Sequence, residues 1–464
     1  MMNFSRIHKF MFDDDILLLD VESGSVHLID GITSELLDAA KEESSEDFSF
    51  EAAIAALSKK YDKEILKSIA EELAALTEEG VLFSAPEPVS DKLPPTWLKS
   101  ICLNISHDCD LRCRYCFAGT GSFGGERLHM SWEVAKAALD MLLDASGPRP
   151  FCEVDFFGGE PLLNFEVVKK AVEYGKTAAA QKNKKIKFTL TTNANALGPE
   201  IIDWLNKEGL AVVLSHDGRP EVHDYMRRQK NGQGSHEAVN RNIGAMIESR
   251  RSNPFGNYYL RGTYTANNLD FCEDVRYWLE QGYRELSLEP AVTLEPVGWA
   301  IREEHLPALK AEYHRLARFY NEKRSQGQSF TFFHFNIDLQ KGPCLPKRLW
   351  GCGAGYEYLA VTPAGELYPC HQFVGREGFI LGNVWERTLN KELSESFKQA
   401  HVENKSACRD CWAKYYCSGG CHANAHAANN NLLEPYSLGC ELQKYRLECA
   451  IWLYVQSLFE QQEN

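Results

Sequence analysis

Long apolar runs are missing from this chain of 464 residues. No stretch approaches the roughly 18 residues that a membrane-spanning helix needs, so no membrane span is expected. The apolar core of a signal peptide is missing too, because Met1 to Asp15 mixes charges with short apolar runs, and a cytoplasmic location is expected. Basic residues are in deficit. Fifty Lys and Arg against 65 Asp and Glu leave a formal charge of −15, the wrong sign for displacing counterions from a nucleic acid. Neither nucleic acid nor membrane is expected as a partner. There is no internal repeat and no low-complexity tract. What remains is an ordinary globular composition, 44% hydrophobic and 25% charged, with length for roughly three domains.

Cysteine is present in excess. Fifteen of them in a reducing compartment argue for metal binding or chemistry rather than disulfides. Nine fall after residue 325.

Three short strand patterns open the chain, Ile7–Phe12, Ile16–Val21 and Ser25–Ile29, separated by Asp13-Asp14-Asp15 and Glu22-Ser23-Gly24, which are turn chemistry. Helical patterns follow near Ser34–Lys41, Phe50–Lys60 and Glu64–Glu79, which makes a winged-helix-like unit. Prolines 86, 88, 94 and 95 break any helix and mark a boundary. Beyond it strands and helices alternate. The strands are Ile101–Ile105, Cys152–Phe157, Ile186–Thr191, Ala211–Ser215, Tyr258–Thr263 and Glu285–Leu288, with amphipathic helices such as Ser131–Leu143 and Phe165–Lys182 between them. Six such units predict parallel strands with right-handed crossovers and an α/β fold, an incomplete (β/α)6 TIM-like barrel. The division expected is 1–92, 93–325 and 326–464. In the last part, Leu442, Tyr445, Cys449 and Trp452 form a helical stripe expected to be core.

Cys109, Cys113 and Cys116 follow the first barrel strand, on the face where such barrels keep their active sites. Three thiolates on one loop can hold three irons of a cubane cluster and leave the fourth open; the bland alternative is a zinc knuckle short of one ligand. Gly158-Gly159-Glu160-Pro161 follows the second strand and lets backbone approach a ligand closely. Together the two motifs resemble the radical S-adenosylmethionine (SAM) superfamily, and the resemblance runs from about residue 97 onward. It implies a [4Fe–4S] cluster on the three cysteines, with SAM on the open iron. Phe117 would lie near the adenine, and the backbone of Gly158, Gly159 and Glu160 would contact the methionine. Thr192-Asn193, Ser215-His216-Asp217-Gly218 and His223-Asp224-Tyr225-Met226-Arg227 are further matches. Asn193 would then join the cofactor site, Ser215 would bond the ribose or carboxylate, and Arg227 would pair with the carboxylate.

The later cysteines, Cys352, Cys370, Cys408, Cys411, Cys417, Cys421 and Cys440, resemble in order and spacing the SPASM extension of radical SAM enzymes that modify peptides and proteins. The resemblance implies two auxiliary [4Fe–4S] clusters, three in all. Cys408, Cys411, Cys417 and Cys440 would hold one; Cys352, Cys370 and Cys421 would hold the other, with Cys344 either completing it or leaving an iron open. Zinc is the alternative for a Cys-x2-Cys pair taken alone. Cys102, Cys152, Cys272 and Cys449 are left over and are expected to be buried small hydrophobes.

As a whole the chain is most similar to the thioether-forming maturases of Cys-rich SCIFF peptides, on Ile7–Ile29, Asn104–Phe117 and Gly351–Gln372. That resemblance implies reductive cleavage of SAM, hydrogen abstraction by a 5′-deoxyadenosyl radical, and a Cys sulfur joined to carbon. The partners implied are a Cys-rich precursor peptide, bound through its leader by the N-terminal unit, and an external one-electron donor of flavodoxin or ferredoxin type. Two rivals are an anaerobic sulfatase-maturating activity oxidising a Cys or Ser of a protein, and a non-catalytic electron carrier or peptide-binding protein.

Overall fold

The computed structural model describes residues 3–42, 50–86, 97–251, 257–339 and 349–462. The proline-rich boundary at 87–95 and Cys344 therefore lie outside the described residues.

An antiparallel sheet, β1 (Ile7–Phe12), β2 (Asp15–Asp20) and β3 (Val26–Ile29), opens the chain in the order β1-β2-β3. Side chains alternate across a strand, so β2 serves two cores. Leu18 packs with Leu36, Leu37, Leu66 and Leu73 of α1 (Gly31–Glu42) and α3 (Lys63–Glu78), which flank α2 (Phe50–Leu57). Leu17 and Leu19, with Phe10 and Phe12 of β1, face the other way into the main core of the molecule.

The main sheet has ten strands in the order β12-β11-β10-β8-β7-β6-β4-β13-β14-β15. Six of them, β4 (Ser100–Ser106), β6 (Phe151–Gly158), β7 (Lys185–Thr192), β8 (Ala211–Ser215), β10 (Tyr258–Tyr264) and β11 (Glu285–Pro290), run parallel, as the alternation predicts. Helices α4 (Trp132–Ala145), α5 (Phe165–Gln181), α6 (Pro199–Glu208), α7 (Pro220–Met226), α8 (His236–Arg251), α9 (Cys272–Glu280) and α10 (Leu306–Ser325) fill the connections. The side chain of Ser131 caps α4 by accepting from the Val134 amide. Cys152, Val154 and Phe156 of β6 are buried toward the helices, which leaves Asp155 and Phe157 on the inner wall.

Four strands extend this sheet. Short β12 (Thr331–Phe332) pairs with β11. On the far side β13 (Tyr358–Val361) pairs in parallel with β4, and β14 (Glu366–Tyr368) and β15 (Gly382–Asn383) follow antiparallel. A separate two-stranded pair, β5 (Leu111–Cys113) and β9 (Arg227–Gln229), sits at the barrel mouth. The terminal helix Ser437–Gln462 closes the assembly. Its Leu442, Cys449 and Trp452 are buried, as the stripe implied, and the Trp452 ring stacks on Phe12 at 4.2 Å.

Candidate functional site

A cavity of about 740 Å³ opens at the C-terminal ends of the parallel strands. Cys109, Cys113, Cys116, Phe117, Gly158, Gly159, Asn193, Ser215 and Arg227 all line it. Cys417, Cys421 and Cys440 line it too.

The three-cysteine loop is held by backbone. Pairing of β5 with β9 sets Cys113 opposite Arg227, and the Leu111 amide donates to Cys109 Sγ at 3.4 Å. Asn193 Nδ2 reaches the same sulfur at 3.5 Å and Asp110 Oδ1 at 2.7 Å. The two glycines are required by packing: a Cβ on Gly158, where φ is +123°, would lie 2.4 Å from Ser106 O, and one on Gly159 would lie 2.2 Å from Asp108 O. Glu160 is placed differently from its neighbours. Its buried carboxylate accepts from the Leu162 and Asn193 amides and from Thr192 Oγ1, so it ties two strand ends together behind the cavity wall.

Arg227 is buried, and its guanidinium donates to Tyr115 Oη at 2.9 Å; Tyr115 in turn donates to Asp217 Oδ2 at 2.6 Å. Among the described residues Arg227 Nε has no partner. A buried cation with a free donor on a cavity wall fits an anionic ligand. Phe117 is 53% exposed, with its ring among Phe123, Phe157 and His371, and offers a flat apolar face.

The C-terminal thiols form two groups. Cys370 senses the charges of Cys421 and Cys352, whereas Cys440 senses Cys417, Cys408 and Cys411. Burial pushes Cys113, Cys408 and Cys440 up to about 11, Cys370 up to about 12, and Cys109 higher still. Such thiols ionise when a cation takes up their charge. Among the described residues no three His, Cys, Asp or Glu side chains close on a point where a single ion would sit, so the fit rests on the surroundings of each sulfur. Backbone amides already face them: Gln372 and Phe373 at Cys370, Gly419 and Gly420 at Cys417, and Ala423 and Asn424 at Cys421. Amides aimed at thiolate sulfur suit iron–sulfur ligation. Cys102, Cys152, Cys272 and Cys449 are buried.

Sequence reasoning missed several wall residues. Asp155, Thr191, Arg261, Glu289 and Arg446 line the cavity, with Thr191 Oγ1 3.3 Å from Asp155 Oδ1. Burial pushes the Asp155 carboxyl up to about 7. For the four on strands the signal was period-2 polarity inside apolar strands, as in Tyr259, Arg261 and Thr263, whereas Arg446 lies on the terminal helix.

The sequence profile of the radical SAM superfamily matches residues 103–256, and that of the SPASM iron–sulfur cluster-binding domain matches 352–412. An uncharacterized protein of Methanocaldococcus jannaschii is 30% identical over 63% of this chain and 91% of its own length. The radical SAM cyclopropyl synthase TigE of Paramaledivibacter caminithermalis is 22% identical over 79% of this chain and 75% of its own. The cysteine-type anaerobic sulfatase-maturating enzyme of Clostridium novyi is 23% identical over 70% and 89%. Among solved structures, anSMEcpe with bound AdoMet superposes with a TM-score of 0.65 at 21% identity, covering 78% of this chain and 95% of that one. Streptococcus suis SuiB bound to precursor peptide SuiA gives 0.53 at 16% identity, covering 95% and 99%. With its three-cysteine loop, glycine pair and grouped C-terminal thiols, the chain belongs to the radical SAM superfamily, and its radical SAM and SPASM domains bind [4Fe–4S] clusters and SAM.

Proposed function

We propose that the chain installs thioether cross-links, Cys sulfur to carbon, in a ribosomally made Cys-rich peptide. The observation that carries this reading is the shared cavity: one space is lined both by Cys109, Cys113 and Cys116 and by Cys417, Cys421 and Cys440. A carbon facing the first set and a thiol facing the second fit within it.

Cys109, Cys113 and Cys116 would hold the SAM-binding cluster. Cys408, Cys411, Cys417 and Cys440 would hold one auxiliary cluster, and Cys352, Cys370 and Cys421, with Cys344 as a candidate fourth ligand, the other. When bound, the cofactor supplies one-electron hydrogen abstraction from carbon. The chain's own residues place and shield. Arg227, steadied through Tyr115 and Asp217, would take the SAM carboxylate; Asn193 and Ser215 would supply polar contacts; Phe117 would cover the adenine; and the Gly158-Gly159 backbone would receive the methionine end. Net, one C–H and one S–H would be replaced by one C–S bond: the carbon-bound hydrogen atom would leave on the deoxyadenosyl group, the thiol proton on a base, and the one remaining electron on an auxiliary cluster held by the C-terminal cysteines. Asp155, on the inner wall, would take the thiol proton.

The N-terminal unit is the leader site in this reading. Strand β1 is covered, since the His8 ring stacks on Trp412 at 3.8 Å, whereas β3 is the other edge and its Leu28 is exposed. An extended leader can add to that edge. SuiB, whose likeness spans 95% of this chain, is recorded with its precursor peptide, and this supports a peptide substrate. A second reading, oxidation of a single Cys or Ser of a protein, draws support from the higher TM-score of anSMEcpe. The protein belongs in the cytoplasm in either case, fed by a flavodoxin- or ferredoxin-like donor.

The test is mass spectrometry of candidate Cys-rich precursors incubated with reconstituted enzyme, SAM and reductant. Loss of two hydrogens per cross-link, localised to a Cys and a second residue and dependent on the leader, is expected. Oxidation of one residue without a cross-link would favour the second reading. No deoxyadenosine and no product would remove both.

A further inference from the structure

Lys405 is one of the largest fully buried side chains in the molecule, with no exposed surface. An ammonium carries three donors and is almost never sealed away unpaired. Among the described residues its Nζ has one recorded partner, the Gly419 carbonyl at 2.7 Å, and no carboxylate pairs with it. Gly419 has φ +80°, and a Cβ there would stand 3.3 Å from Nζ, so the glycine makes room for the ammonium. The Lys405 carbonyl accepts from the Cys408 amide at 2.8 Å, which fixes the lysine to the turn that carries this cysteine. The groups that act on Nζ are sulfur, thiols that become anionic on taking a metal: Cys408, Cys417 and Cys440 from one group and Cys421 from the other.

We infer that the Lys405 ammonium is a permanent internal counter-charge between the two auxiliary clusters and holds their reduction potentials up. Burial is tolerated because a thiolate-ligated cluster is anionic and stands in for the missing carboxylate. Each added electron makes that neighbour more negative, so the fixed cation stabilises the reduced state more than the oxidised one. Clusters so poised accept electrons from the cavity they border. The inference rests on the assignment of these cysteines to two clusters.

The test is redox titration with dithionite, read by EPR, of the full-length chain carrying Cys109→Ala, Cys113→Ala and Cys116→Ala, so that auxiliary iron alone is observed. Lys405→Met at unchanged iron content is expected to make reduction at least about tenfold less favourable, a fall of about 59 mV for a one-electron couple, while Lys405→Arg stays near the parent. An unchanged midpoint in Lys405→Met at full iron content would overturn the inference. If Lys405→Met assembles no auxiliary clusters, Lys405→Arg decides: parental iron and midpoint uphold the role of charge, and failure alongside Lys405→Met assigns a packing role and overturns it. A parent without auxiliary iron would remove the cluster assignment itself, and the inference with it, a failure distinct from an unshifted midpoint.

Discussion

Two buried cations stand among the cysteines of this protein, and they are built in opposite ways. Arg227 lies on the cavity wall opposite Cys113, tied through Tyr115 to Asp217, with Nε unpartnered. Lys405 is sealed, has no carboxylate partner among the described residues, and does not line the cavity. The open, braced guanidinium suits a ligand that must come and go, as SAM does at each turnover. The closed ammonium suits an anion that never leaves. On the proposed assignment, the cation beside the exchangeable ligand lines the cavity, and the cation beside the auxiliary clusters alone is sealed.

The comparison breaks first at Arg227. Arg227→Met should weaken SAM binding by about thirtyfold or more, since truncating one partner of a buried charged pair costs roughly 2–5 kcal/mol. Lys405→Met should leave SAM affinity within about twofold; equilibrium binding to reconstituted protein checks both. Tyr115→Phe sharpens the contrast, because it keeps the arginine and removes its brace. A loss of about 1 kcal/mol, roughly fivefold in SAM affinity, is expected at unchanged iron content.

Asp155 extends the comparison to the acids of the wall. Its carboxyl is pushed up to about 7 by burial, from 3.8. The folded state therefore holds this proton more tightly than the unfolded chain, and the contribution to stability falls as pH rises from about 4 to about 7. Asp155→Asn should remove that slope in denaturant melts and raise stability at pH 8. With the ionised form acting as proton acceptor, cross-linking should rise with pH through about 7 in the parent and lose that dependence in the variant. The smallest effect belongs to the seam between the N-terminal sheet and the rest. His8→Ala removes a ring stacked on Trp412 and an Nε2 contact to Glu448 at 2.9 Å. It should cost about 1 kcal/mol and quicken proteolysis of the first 86 residues.

The six parallel strands were legible because alternation of apolar residues, helix caps and turn glycines are local signals, and the observed ends differ from the predicted ones by at most two residues. The three-cysteine loop was legible because its spacing is local, and Cys109, Cys113 and Cys116 do line one cavity. Long-range pairing was not. Nothing in Tyr358–Val361 announces that it will lie parallel to β4, nor in Phe12 that it will stack on Trp452, since both contacts join residues hundreds of positions apart. Lys405 was the least legible. It sits in Glu403-Asn404-Lys405-Ser406, a wholly polar run that reads as solvated surface, and only the tertiary structure encloses it.

The central claim is three cubane clusters, one at the barrel mouth beside the open cation and two around the closed one. Iron and sulfide counts on anaerobically reconstituted protein test it most directly. About twelve irons per chain are expected, falling to about eight when Cys109, Cys113 and Cys116 are replaced by alanine. Zinc with little iron, or the same iron count in both proteins, would contradict it.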